Sequence, residues 1–142
     1  MRARILGSAC VAGVALAAAT AGATPPLHSK TFRTPSRNIG CAYYDASVTG
    51  TAIFRCDLLS GLKPEPARRC DVDWTGASMG LRGRAGPTCA GDTVYDQRGA
   101  VLAYGRTWTR AGLRCTSRAT GLTCRNRDGH GFFLSRERWR VF

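Results

Sequence analysis

The sequence predicts an all-β fold, a small antiparallel sheet or sandwich-like domain stapled by three disulfides and preceded by a signal peptide. Three observations predict it. Turn formers recur about every ten residues, and the short runs between them carry valine, isoleucine, threonine and aromatic residues. All of the seven cysteines except Cys10 lie at or beyond Cys41. The longest helical candidate, around "SRERW", has room for barely a turn or two.

The chain opens with Arg2 and Arg4, an alanine-rich apolar run to about Ala19, and the small residues Ala21, Gly22 and Ala23. A basic head, a short apolar middle and an A-x-A site describe a secretory signal peptide over residues 1–23. The run falls short of the ~20 apolar residues of a membrane span, so no transmembrane anchor is expected in the mature chain. Removing 23 of the 142 residues leaves 119, enough for one domain with a modest core. Residues 24–31, "TPPLHSKT", read as a flexible leader, and residues 32–142 as a single disulfide-stapled β domain.

An even set of six cysteines in an exported chain reads as three disulfides. In "RCTSRATGLTC", a hairpin turning at Arg118 to Gly121 sets Cys115 opposite Cys124. In "CAYYDASVTGTAIFRC", a turn around Val48 and Thr49 sets Cys41 opposite Cys56 and Tyr43 opposite Phe54 on one face. Directly opposed cysteines on neighbouring antiparallel strands can be bridged. Cys70 and Cys89 then remain to join across a long loop. Six cysteines allow 15 pairings, and this sequential one is the pairing that the register favours. No C-x-x-C pair occurs and His28 and His130 are far apart, so neither a metal nor a cofactor is expected.

After cleavage, 19 basic residues face nine acidic ones, a net charge of +10, and Lys30 and Lys63 are the only lysines. That balance suits an anionic polymer, either cell-wall material or nucleic acid, as partner. The hairpin register places Arg114 opposite Arg125 on the outward face, an unfavourable like-charge pair that needs compensation. Splayed, hydrated side chains would provide it, and so would an anion held between two forked guanidinium groups. Further on, Arg136, Arg138 and Arg140 alternate with Glu137, Trp139 and Val141, which in an extended chain makes an arginine stripe. These five arginines are the candidate anion-binding residues.

Catalysis is the weaker expectation. In "RDGHG", Asp128-Gly129 is a hairpin-turn signal, and His130 has Asp128 and Glu137 as conceivable orienting carboxylates, the equipment of a small nuclease-like hydrolase. Asp71 and Asp73 beside Trp74 read as solvated loop charges in preference to a paired-carboxylate site. A third option is an inhibitor-type domain that binds another protein through the loop Leu62–Arg69, braced by Cys70.

The ordered segments "FRTPSRNIGC", "RCDL", "CDVDW", "CAGDTV", "LAYG", "GLTCRN" and "GHGFFLSRERW" resemble a family of small secreted, disulfide-containing actinobacterial proteins of uncharacterised function. The resemblance spans Phe32 to Phe142 and implies secretion and a cysteine framework. It carries over no catalytic residue. One departure is Arg37, where the family pattern has glycine in the turn before Asn38. Taken together, the expectation is a secreted, non-enzymatic binding module, with cell-envelope association as one setting, that contacts an anionic partner through arginines.

Overall fold

The computed structural model describes Gly22, Thr24 and residues 27–142. The expected signal peptide, Gly22 apart, lies outside the described residues. Eleven strands and one short helix follow in order: β1 Thr31–Arg33, β2 Ile39–Tyr44, α1 Ala46–Thr49, β3 Ile53–Leu58, β4 Asp73–Gly80, β5 Gly86–Ala90, β6 Ala100–Val101, β7 Thr107–Arg110, β8 Leu113–Arg118, β9 Gly121–Arg125, β10 Gly131–Leu134 and β11 Trp139–Val141. They form a six-stranded sheet, ordered β5-β4-β3-β2-β1-β6, and a five-stranded sheet, ordered β11-β10-β9-β8-β7. Every pairing is antiparallel except β1 with β6.

Register follows from side-chain alternation. Cys41 pairs with Cys56 and Tyr43 with Phe54 across β2 and β3, while Cys115 pairs with Cys124 across β8 and β9. Both cysteine pairs are bonded, with Cα separations of 4.0 and 4.1 Å, and the third bridge joins Cys70 to Cys89. The connection after β2 differs in detail from a plain turn: α1 occupies it, with Asp45 accepting from the Ser47 amide at its start and Gly50 left-handed at its end.

The inward faces of the two sheets meet on a ring stack. Phe54 of the first sheet lies 4.8 Å from Trp108 and 6.1 Å from Phe132 of the second, and Phe32 lies 5.1 Å from Trp108. Both intra-sheet disulfides flank this stack and are buried with it. The Trp108 indole N–H is satisfied by the Ser29 carbonyl at 2.8 Å.

That bond belongs to a segment expected as a flexible leader, and the expectation needs correcting from Leu27 onward. The Leu27 amide donates to Thr107 O and its carbonyl accepts from Thr109 N, both at 2.9 Å. His28 Nδ1 donates to the Thr109 carbonyl, and Arg110 reaches the His28 carbonyl. The segment covers the free edge of β7, whose backbone groups would otherwise be open to strand pairing.

The outer faces of the sheets are treated differently. Across the first sheet, Arg55 makes two bonds to Asp57, at 2.8 and 2.9 Å, and two to Asp92, at 2.9 Å to its carboxylate and 2.8 Å to its carbonyl. Burial opposes the Arg55 charge, yet bonds from Asp57 first and Asp92 next hold its pKa above the ordinary value. Asp57 also accepts from the Val94 amide and the Thr75 hydroxyl. This network pins residues 91–99 over the sheet, and Tyr95 lies so close to Gly40 that a Cβ there would sit 2.6 Å from the ring. No equivalent segment crosses the outer face of the second sheet among the described residues.

The stack sets the first test. Phe54→Ala empties the contact between sheets and should cost about 3–5 kcal/mol, read as a lowered urea midpoint with the disulfides intact. A loss under about 1 kcal/mol would mean that the rings do not carry the core.

Candidate anion-binding face

Cross-strand register fixes what the bare face displays. Its first row runs Thr109, Arg114, Arg125, Gly131, and then Phe142 beyond β11, whose amide and carbonyl pair with Gly131. The next row runs Thr107, Thr116, Thr123, Phe133, Arg140. Adjacent members of a row stand about 5 Å apart. No outward position in β7 to β11 carries an acid. Residues 107–142 hold eight arginines against Asp128 and Glu137, whereas the other seven acids lie between residues 45 and 96.

The opposed charges of Arg114 and Arg125 are relieved by the row itself. A Cβ at Gly131 would stand 1.9 Å from the Cys124 carbonyl oxygen, so no side chain fits between Arg125 and Phe142. Arg125 leans through that gap, its Cζ 4.4 Å from the Phe142 ring centroid, and donates to Gly129 O at 3.0 Å. Arg140 lies 5.1 Å from the same ring, and Arg138 lies 5.3 Å from the Phe133 ring. Arg125 is thereby drawn toward Phe142 and away from its cross-strand partner Arg114. Stacking occupies the guanidinium faces and, apart from the Arg125 bond to Gly129 O, leaves the donor edges available, which suits phosphate or carboxylate. A concavity of about 350 Å³ opens among Phe133, Arg138, Trp139 and Arg140.

The arginine stripe expected over residues 136–140 is only partly realised. Ser135 and Arg138 close a tight turn, with the Ser135 amide donating to Arg138 O at 2.9 Å and the Arg138 amide to Ser135 Oγ at 3.1 Å. Arg140 therefore joins the face in β11 and Arg138, just before that strand, joins it by lying against Phe133, while Arg136 sits at the turn tip, displaced from them.

The catalytic grouping comes together only in part: His130 lies near enough to Asp128 to join the Gly83 amide and Arg82 in lowering its pKa, but each carboxylate is placed otherwise than a nuclease-like site needs. Asp128 Oδ1 accepts from Arg82 at 2.7 Å and Oδ2 from the Gly83 amide at 2.9 Å. The neighbouring Asn126 donates to the Gly83 carbonyl at 2.7 Å. The Asp128-Gly129 turn is thus a clamp between the second sheet and the β4–β5 connection, and its carboxylate is committed there. Glu137 lies in the turn at the far end of β10 from His130, about 13 Å away along the strand at ~3.3 Å per residue. His28 lies on the β7 edge, three strands from His130, and the described residues contain no group of His, Cys, Asp and Glu suited to a metal ion.

The other acidic pair is also divided. Asp71 pairs with Arg69 at 2.6 Å, while Asp73 borders a cavity of about 690 Å³ that Trp74, Lys63 and Glu65 also line. The loop Leu62–Arg69 is held to the body: Leu62 is buried, Arg68 lies over Trp74, and the Trp139 indole donates to Pro64 O.

A further arginine marks a strained turn. Arg37 adopts φ +58°, a left-handed geometry that favours glycine. The turn therefore needs positive φ even though this chain places an arginine there.

The family model described as a family of unknown function (DUF6636) matches residues 10–142, and the chain belongs to that family. No curated protein and no solved structure matches the chain.

The Asp128 clamp predicts a pH effect. The Gly83 amide first, then Arg82, hold the Asp128 carboxyl below its ordinary 3.8, against a partial desolvation. A depressed folded-state pKa gives stability that is present above the unfolded value and fades as pH falls through the folded one. Asp128→Asn should therefore flatten the loss of thermal midpoint on acidification from about pH 5 to about pH 2. Parallel curves for the two proteins would remove the clamp from the account.

Proposed function

For a member of a family whose function is unknown, we propose that the bare face of the second sheet docks a polyanionic polymer, making the protein a secreted, non-enzymatic binding module of the cell envelope. One observation carries this reading. Arg125 and Arg140 lie against a single ring, Phe142, beside Arg114, on a face where no outward strand position is acidic. Aromatic stacking orders the guanidinium planes before a ligand arrives, so less conformational entropy is lost on binding. Placing seven of the nine acids between residues 45 and 96, and the other two in turns, leaves the strands of this face a positive field. Three disulfides agree with an oxidising compartment outside the cytoplasm.

The contact would be mainly electrostatic, so its signature is salt dependence. Retention of the oxidised mature protein on insoluble cell-wall material should fall steeply across a salt series. Arg114→Ser with Arg125→Ser removes two phosphate-type contacts and should reduce the slope of log affinity against log salt by about 2. Unchanged retention and slope in that double variant would defeat the proposal, as would fragments released from the wall that disappear in His130→Ala.

A further inference from the structure

Next to this face lies a second site of different shape. A cavity of about 150 Å³ opens where the β8–β9 turn, the β10–β11 turn and the Thr34–Ile39 segment converge. Two arginines line it, Arg118 and Arg136, and neither has an ion-pair or hydrogen-bond partner among the described residues. Thr120 and Tyr104 add hydroxyls that are also uncommitted, whereas the Ser36 hydroxyl is engaged with Thr34 and the Asn38 amide. No carboxylate lines the cavity.

Both arginines are placed by constrained turns. Arg118 pairs with Gly121 at the end of the hairpin that Cys115–Cys124 closes. Arg136 occupies the Ser135–Arg138 turn, fixed by bonds from both the backbone and the hydroxyl of Ser135. On the third side, the left-handed Arg37 closes the turn back to the Thr34 carbonyl at 3.0 Å, and Ser36 pairs with Thr34. Two unpaired guanidinium groups at a small acid-free cavity are costly by mutual repulsion unless an anion or solvent screens them.

We infer that this cavity is a binding site for a phosphomonoester dianion, with Arg118 and Arg136 supplying forked donors and the hydroxyls of Tyr104 and Thr120 completing its shell. Two guanidinium forks and two hydroxyls offer more donors than the two oxygens of a carboxylate accept, whereas a phosphomonoester presents three terminal oxygens and a double charge. The cavity has room for the phosphate and the first atoms of its ester. A phosphodiester has one charge and two esterified oxygens, and fits less well. The inference stands apart from the polymer reading, because it uses neither Arg114 nor Arg125.

Calorimetric titration of the full-length mature protein with inorganic phosphate, glycerol phosphate and dimethyl phosphate tests it. The first two should bind, and dimethyl phosphate should bind at least about tenfold more weakly. Tighter binding of glycerol phosphate than of inorganic phosphate assigns the site to an ester terminus, and the reverse order assigns it to the free ion. Arg118→Ser with Arg136→Ser should weaken inorganic phosphate by at least about tenfold, while Arg114→Ser with Arg125→Ser leaves it unchanged. Arg118→Lys with Arg136→Lys keeps the charge and should fall between wild type and the serine pair. Equal binding by the serine pair, equal binding of dimethyl phosphate, or no binding of inorganic phosphate would each overturn the inference. Loss of wall retention with phosphate binding intact would strike only at the polymer contact.

Discussion

The bond between Cys115 and Cys124 fixes two arginines at opposed positions of one sheet. Side chains on a strand alternate between faces, so an inward disulfide at these positions leaves Arg114 and Arg125 opposed on the outer face. A slip of one residue would turn the arginines into the core and the cysteines out. The covalent bond forbids that slip, and burial of Leu113, Leu122 and Leu134 against the Phe54 and Trp108 rings reinforces it. Cys41–Cys56 does the same for the first sheet. The charged face is therefore a consequence of how the core is locked.

Its counterpart shows what the fold does with charge elsewhere. Asp57 is 1% exposed and shares Arg55 with Asp92. Removing either partner would leave a buried or half-buried charge uncompensated, a large penalty. The network lets residues 91–99 close over the first sheet, which hides the polar groups of one outer face. Acids gathered there are unavailable to neutralise the second sheet. The outer face of the second sheet thus keeps its arginines without an acid in any of its strands, although exposed arginines such as Arg68, Arg69 and Arg98 lie elsewhere.

Local features of this architecture were legible in the sequence and distant ones were not. Short hairpins made the cysteine arithmetic work, because the turn at Arg118–Gly121 leaves one register that faces both cysteines inward. The first hairpin kept its register although α1 replaced a plain turn, since only the parity of the connection matters to the pairing. Other features depend on partners far along the chain. Asp128 reads as a turn residue, but its carboxylate meets Arg82, 46 residues away. Leu27 looks like leader until the unpaired edge of β7 is placed beside it. The arginine stripe at Arg136–Arg140 follows from an extended chain, and the Ser135 hydroxyl bends that chain at its start. The phosphate-sized cavity had no local signature, since it joins Arg118, Arg136 and Thr34–Ile39 from three separate segments.

Side-chain NMR of the arginine Nε–H groups during titration with a polyphosphate chain tests the central claim most directly. The account predicts that Arg114, Arg125, Arg138 and Arg140 shift together and saturably, while Arg68, Arg69 and Arg98 stay in place. Uniform shifts across all exposed arginines, or shifts confined to residues outside the second sheet, would contradict it.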